Sequence, residues 1–421
     1  MSQTLLIKDI RIFDGENEIP SGSVLVENGL VKQVSRGSLN APDASTVVIS
    51  KPGHTLIPGI IDGHIHAHID EQNTVLGQAL KFGVTTVCDM HQEVENLAEL
   101  RSRALNDPNS ADFKTASQSA TVSGGWPTAI ITAHDKSEET LARVATWPDL
   151  KNRADVEAFI RDRVEDKADY IKLMHEDGNG LSVKPNLPSL ELQKDIIDVA
   201  HQNGLLTVAH ATSLQGTLQI LRLGIDGLTH TFCDQPPTQE VIDAYLANNA
   251  HCNPTLVAIA SLTTEGQREQ ERYSNDPRAS KFLNSQGKQN LCKCMALAND
   301  ESKVEYAYQT VRKLKAAGID IIMGSDSAGP ALGTAFGLSA HQELATLVAK
   351  CDFTPKEALI AGTSLVAKRL RLKDRGRIAE GLRADLVLIE GNPLEDIDRT
   401  LDIRGVWKQG TLCSTYSGLA A

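Results

Sequence analysis

Two histidines one residue apart, His64 and His66, close the apolar run Ile60-Ile61-Asp62-Gly63-His64-Ile65-His66. Successive side chains of a strand alternate between its faces, so positions i and i+2 point the same way and two imidazoles so spaced can reach one metal ion. Such a pair also arises by chance on a surface, and the case rests on four more residues with the same placement at a strand end. Lys172 follows Ala168-Asp169-Tyr170-Ile171, His210 ends Leu205-Leu206-Thr207-Val208-Ala209-His210, His230 ends Gly227-Leu228-Thr229-His230, and Asp326 ends Ile321-Ile322-Met323-Gly324-Ser325-Asp326. The interval from His210 to His230 has room for one βα repeat, which puts these two histidines on neighbouring strands at the same height.

The elements that must carry these residues follow from the texture of the chain. Between two β-rich ends, amphipathic stretches, a glycine and a short apolar strand recur, as in Phe82-Gly83-Val84-Thr85-Thr86-Val87, Asn203-Gly204-Leu205-Leu206-Thr207-Val208 and Ala317-Gly318-Ile319-Asp320-Ile321-Ile322. A glycine after an amphipathic run is a helix C-cap, and helices alternating with strands indicate parallel βα units. Eight strand candidates stand around residues 60–66, 85–89, 115–122, 170–174, 205–210, 227–230, 251–255 and 319–326, the number a closed (β/α)8 barrel needs. The expected fold is therefore α/β, a (β/α)8 TIM barrel over 58–372, with a smaller β-sandwich domain built from both termini, residues 1–57 and 373–421. Asn28-Gly29 is a hairpin turn signal in the first part. Thr354-Pro355-Lys356-Glu357 reads as a capping box opening a helix to about Leu370. The polar stretch 261–302 is too long for an ordinary βα connection and is expected to be a lid or a subunit contact.

With these residues in place, the sequence resembles the amidohydrolase superfamily, on its imidazolonepropionase-related branch with metal-dependent prolidases and ochratoxinase-like amidases. The resemblance runs through Pro58-Gly59-Ile60-Ile61-Asp62-Gly63-His64-Ile65-His66, Gly83-Val84-Thr85-Thr86-Val87, Gly376-Arg377-Ile378-Ala379-Glu380-Gly381-Leu382-Arg383-Ala384-Asp385-Leu386-Val387 and the split terminal β domain. It implies two divalent metal ions, usually zinc, with His64, His66 and Asp326 on one and His210 and His230 on the other. It also implies that Lys172 bridges both as a carbamate. An ammonium cannot ligate a cation, whereas a carbamate is a two-oxygen anion; an unmodified Lys172 would instead need an acidic neighbour such as Asp169 or Glu176.

The reaction expected on this reading is hydrolysis of an amide C–N bond by a metal-bridging hydroxide, with Asp326 as the catalytic acid–base group. The substrate is then a small molecule of the N-acyl amino acid, dipeptide or aryl amide type. A lactonase or cyclic imide hydrolase on the same site stays open, a deaminase fits less well with a bridging lysine, and a non-enzymatic scaffold would be expected to have lost ligands that are all present here. His175, His251 and Trp126 are candidate substrate contacts, each with a packing role as the alternative; His68 and His91 read as outer residues, and His341 and Glu343 as non-catalytic.

Composition narrows the partners. Lys and Arg number 42 against 54 Asp and Glu, a net charge of −12 that disfavours nucleic acid and anionic membrane surfaces. Apolar residues at 41% and charged residues at 23% suit a folded chain with a sizeable core. No apolar run approaches the ~20 residues of a membrane span, and Lys8 and Asp9 interrupt the place of a secretory leader, so a cytoplasmic enzyme is expected. Seven scattered cysteines argue for reduced thiols, and Cys292-x-Cys294 lacks the second pair of a structural zinc site. A homo-oligomer is expected.

Overall fold

The computed structural model describes residues 4–69, 75–329 and 331–420. Strands from both ends of the chain hydrogen-bond into one eight-stranded sheet, in the order Thr411–Leu412, Ile403–Lys408, Leu386–Glu390, His54–Pro58, Leu5–Phe13, Glu18–Glu27, Leu30–Ser35, with Val47–Ser50 also paired to Leu5–Phe13. The antiparallel pairing of His54–Pro58 with Leu386–Glu390 is what joins the two ends. These strands are apolar on both faces because each face has a core to fill. Phe13, Ile57, Val387, Ile389 and Val406 join the main core, while their sequence neighbours Ile12, Leu56, Leu386, Leu388 and Trp407 belong to a separate cluster. The Asn28-Gly29 hairpin forms as read, with φ of 54° and 79°, which suits a type I′ turn.

The rest of the chain carries two four-stranded parallel sheets, each strand followed by helix. One holds Ile171–Met174, Thr207–His210, Gly227–Leu228 and His251–Cys252; the other holds Ser327–Ala328, Ile60–His66, Val84–Asp89 and Asp112–Thr115. Backbone hydrogen bonds connect the sheets at both edges: Ala120 N–H donates to Lys172 O (2.8 Å) and Met174 N–H to Ala120 O (3.0 Å), while Ile322 N–H donates to Cys252 O (2.9 Å) and Gly63 N–H to Met323 O (3.0 Å).

Three expected boundaries move. The strand read at 115–122 lies at Asp112–Thr115, because Ser117 adopts φ 56° and turns the chain out before Ala120 resumes the pairing. The strand read at 319–326 is reduced to a bridge at Ile321 and the pair Ser327–Ala328, with Asp326 at φ 53° between them. The capping box of Thr354 and Glu357 forms, but its helix stops at Ala361 and a second helix, Ser364–Arg369, follows. Segment 261–302 holds the helices Gln267–Asn275, Pro277–Ser280 and Ser285–Leu291, and its Tyr273, Ala279, Leu283 and Leu291 share a core with Phe82, Leu338 and Leu401. All seven cysteines are free, and among the described residues no helix is long and apolar enough to cross a membrane.

Candidate metal centre

Strand Ile60–His66 presents His64 and His66 on one side, and the chain reversal at Asp326 brings a carboxylate to them. His64 Nε2 and His66 Nε2 lie 3.2 and 3.3 Å from Asp326 Oδ1 and 3.3 Å from each other. A tetrahedral zinc ion with ligands at about 2.0–2.1 Å keeps neighbouring donors about 3.3 Å apart, so these three atoms are spaced as three corners of such a shell. The arrangement is held from beneath by Asp62, which accepts hydrogen bonds from Ser325 N–H (2.9 Å), Ser325 Oγ–H (2.6 Å) and His64 N–H (3.3 Å). Asp326 N–H in turn donates to His64 O at 2.8 Å. Asp62 is fully buried, and burial raises its carboxyl to about 6.

Four imidazoles run together here. Ring centroids are 5.2 Å apart for His64 and His66, 4.9 Å for His64 and His230, and 4.6 Å for His230 and His210, and Trp126 stacks on His210 at 5.0 Å with an interplanar angle of 23°. His230 Nδ1 lies 2.7 Å from Thr255 Oγ1 and 4.0 Å from Asp326 Oδ2. Burial holds His64 and His230 well below the ordinary histidine value and lowers His210 as well. Neutral imidazoles keep the lone pair that a metal needs, so the donor set fits a divalent cation.

Lys172 is 1% exposed and its Nζ donates to Thr229 Oγ1. Neither acidic neighbour considered from sequence pairs with it: Asp169 meets Lys114 at 3.3 Å, and Glu176 Oε2 lies 2.9 Å from His210 Nε2. Burial lowers the Lys172 amine to about 7.

His175 and His251 are not brought into this group. His175 has the strand parity opposite to Lys172, and its ring lies outside, with Nε2 3.1 Å from Gln219 Oε1 and Nδ1 3.5 Å from Gln193 Nε2. His251 opens its strand and packs over Gly227, so closely that a Cβ there would fall 2.1 Å from its ring; it lies at the start of the strand rather than at the ligand end. His91 Nδ1 is 2.7 Å from Ser119 Oγ, and His341 is held between Thr400 and the Phe82 carbonyl. Glu343 accepts from Leu256 N–H and Val257 N–H at the start of a helix. Sequence reasoning passed over Glu176, Asp62 and Thr255 as site residues; the parity of positions 172, 174 and 176 was the signal available for the first.

Residues 55–413 match the model of the Amidohydrolase family. The chain is 38% identical to an imidazolonepropionase of Deinococcus deserti over 24% of this chain and 25% of that protein, and 26% identical to an ochratoxinase of Aspergillus niger over 61% of this chain and 49% of that protein. The chain thus matches about half or less of these two curated relatives. Its fold is also that of a crystallised Xaa-Pro dipeptidase, with a TM-score of 0.74 at 21% identity over 97% of this chain and 99% of the other.

Proposed function

The chain belongs to the amidohydrolase family, and from that premise we propose that it is a metal-dependent hydrolase that cleaves an amide C–N bond of a small molecule. The observation that carries the reading is the triangle of His64, His66 and Asp326, joined through His230 to His210. His64, His66 and Asp326 would hold one divalent ion and His210 and His230 a second, with Lys172 as a carbamate supplying a further anionic ligand; zinc suits the nitrogen-rich set. When bound, the ions polarise the scissile carbonyl and bring the pKa of water near neutrality.

This chain's residues do the rest. Asp326 is 18% exposed; its Oδ1 makes the contacts to His64 and His66, and its Oδ2 lies 4.0 Å from His230 Nδ1. That oxygen accepts the proton of the attacking water and returns it to the leaving nitrogen. A neutral amine is the form of lysine that adds carbon dioxide, and burial of Lys172 supplies it near pH 7. Trp126 is half-buried and offers a flat wall beside His210, which suits the acyl or aryl part of an N-acyl amino acid, dipeptide or aryl amide.

The edge-to-edge hydrogen bonds between the two parallel sheets support a closed (β/α)8 barrel spanning 58–372, with 261–302 as a docked insertion and the terminal strands, 1–57 and 373–421, as the β-sandwich domain. A cytoplasmic homo-oligomer is the setting proposed. The test is zinc-replete protein assayed against N-acyl amino acids, dipeptides and aryl amides beside lactones and cyclic imides. Amide turnover abolished by chelation and restored by zinc is expected. Turnover of lactones alone would move the reading to a lactonase, and no turnover in protein that binds no zinc would make the chain a scaffold.

A further inference from the structure

Glu176 has no part in the reaction proposed above, yet it is among the most completely engaged carboxylates in the molecule. It is 1% exposed. Its Oε1 accepts from Gly178 N–H at 2.7 Å, and its Oε2 accepts from both Thr212 Oγ–H and His210 Nε2–H, the latter at 2.9 Å. The Thr212 hydroxyl and the Gly178 amide fix the carboxylate before it meets the histidine, so the orientation runs from Glu176 to His210.

The consequence for His210 is stereochemical. A carboxylate oxygen can only accept, so the imidazole proton sits on Nε2 and the lone pair on Nδ1, which makes no hydrogen bond among the described residues. Trp126 stacked at 5.0 Å and His230 set edge-on at 4.6 Å resist rotation of the ring about its own axis. His230 is held the opposite way round, with Nδ1 2.7 Å from Thr255 Oγ1 and Nε2 left over. Lys172 lies in the strand Ile171–Met174 and Glu176 two residues past its end, where His175 N–H still bonds to His210 O at 3.1 Å while the His175 ring meets Gln219.

We propose that Glu176 is a positioning residue that fixes His210 in the tautomer and orientation presenting Nδ1, and so sets the affinity of the metal ion that His210 and His230 hold. The proposal rests on the metal-dependent reading above. Carboxylate partners of ligating histidines typically account for about 10- to 100-fold in metal affinity.

Zinc binding is titrated against a chromophoric chelator for the wild type, His210→Ala, Glu176→Gln and Glu176→Leu, with circular dichroism and thermal unfolding to establish folding. The wild-type stoichiometry tests the two-ion reading by itself. The ratio of variant to wild-type affinity tests Glu176 whether that stoichiometry is one or two. Expected is a loss of about 10- to 100-fold in Glu176→Leu in the zinc-binding step that His210→Ala removes, with most of it recovered in Glu176→Gln, whose amide oxygen still accepts from Nε2. Wild-type affinity in folded Glu176→Leu overturns the proposal. Equal losses in both variants also overturn it, because the charge rather than the orientation would then matter. Should Glu176→Leu fail to fold, Thr212→Val, which removes the hydroxyl that holds the same oxygen, must weaken zinc binding; unchanged affinity there overturns the proposal.

Discussion

Asp326 occupies left-handed backbone at φ 53°, a conformation that costs a non-glycine residue on the order of 1–3 kcal/mol and persists only where the surroundings over-determine it. Here they do: its own N–H is bonded to His64 O, and Ser325 before it is bonded to Asp62. The strained turn carries the carboxylate to both imidazoles of the first strand. Asp326→Asn keeps the shape and an acceptor oxygen but cannot take up the proton, so kcat should fall by about 10²- to 10⁴-fold while most of the zinc and substrate affinity remain. Parallel measurements of zinc per chain and kcat check this, and wild-type turnover would assign the proton to another group. Lys172 carries a pH dependence of definite sign. Its amine is pulled down to about 7 by burial, so the neutral form gains as pH rises through 7. Reconstitution of stripped protein with zinc and bicarbonate should be faster at pH 8 than at pH 6, and a rate independent of pH would contradict it. The structure brings His64, His66, Asp326, His230 and His210 together, and the placement at or near expected strand ends that singled them out needs no tertiary information. Glu176, past its strand end, was read only as an acidic partner for an unmodified Lys172 and not as the partner of His210 that the structure makes it. His175 and His251 were read by nearness in sequence, while parity sends one outward and strand polarity leaves the other at the wrong end.

Among the elements, the segment 261–302 is anchored by an apolar core of its own. Length and polarity suggested a lid or a subunit contact; Leu291, fully buried, packs with Tyr273 and Leu283 against Phe82 and Leu338, and Arg278 Nη2 bonds to Asp398 Oδ2 at 2.6 Å. Apolar residues dispersed through a polar stretch dock it, Tyr273, Ala279, Leu283 and Leu291 among them, and average polarity hid them. Leu291→Ala should cost about 2–5 kcal/mol, seen as a lower denaturant midpoint, with zinc content of the folded protein unchanged. A midpoint equal to the wild type would mean that the segment contributes little to the fold. The same segment reaches the chain beyond Asp326, since Gly333 N–H donates to Asn290 O at 2.9 Å and Ser261 Oγ–H to Leu332 O at 2.9 Å. Strand order was readable from the glycine-and-strand texture. Strand ends were not, because Ser117 and Asp326 leave the β region for reasons of tertiary hydrogen bonding that neither residue type announces.

For the whole molecule, the sheet built from both termini is fastened to the parallel strands by buried charge. Asp112 opens the strand Asp112–Thr115, and its Oδ2 accepts from Arg383 Nη1 at 2.8 Å and from Arg375 Nη1 as well, with both arginines less than a tenth exposed. Removing the carboxylate leaves Arg375 with Asp374 and Arg383 with Asp385, so Asp112→Ala should destabilise by about 1.5–3 kcal/mol, read by denaturant unfolding; wild-type stability would show that Asp112 does not fasten the two sheets. Both ends join one sheet, as their shared β texture suggested, whereas this ion cluster was not legible, since its members stand 263 and 271 residues apart. On the reading proposed above, His64 and His66 from one strand, together with Lys172, His210, His230 and Asp326 from four other stretches of the chain, hold the metal ions, and the most direct measurement of that claim is an anomalous difference map at the zinc edge from crystals of zinc-replete protein. Two peaks, one among His64, His66 and Asp326 and one between His210 and His230, with a carboxylate added to Lys172 Nζ, are the predicted result. A single peak beside an unmodified lysine would contradict the account.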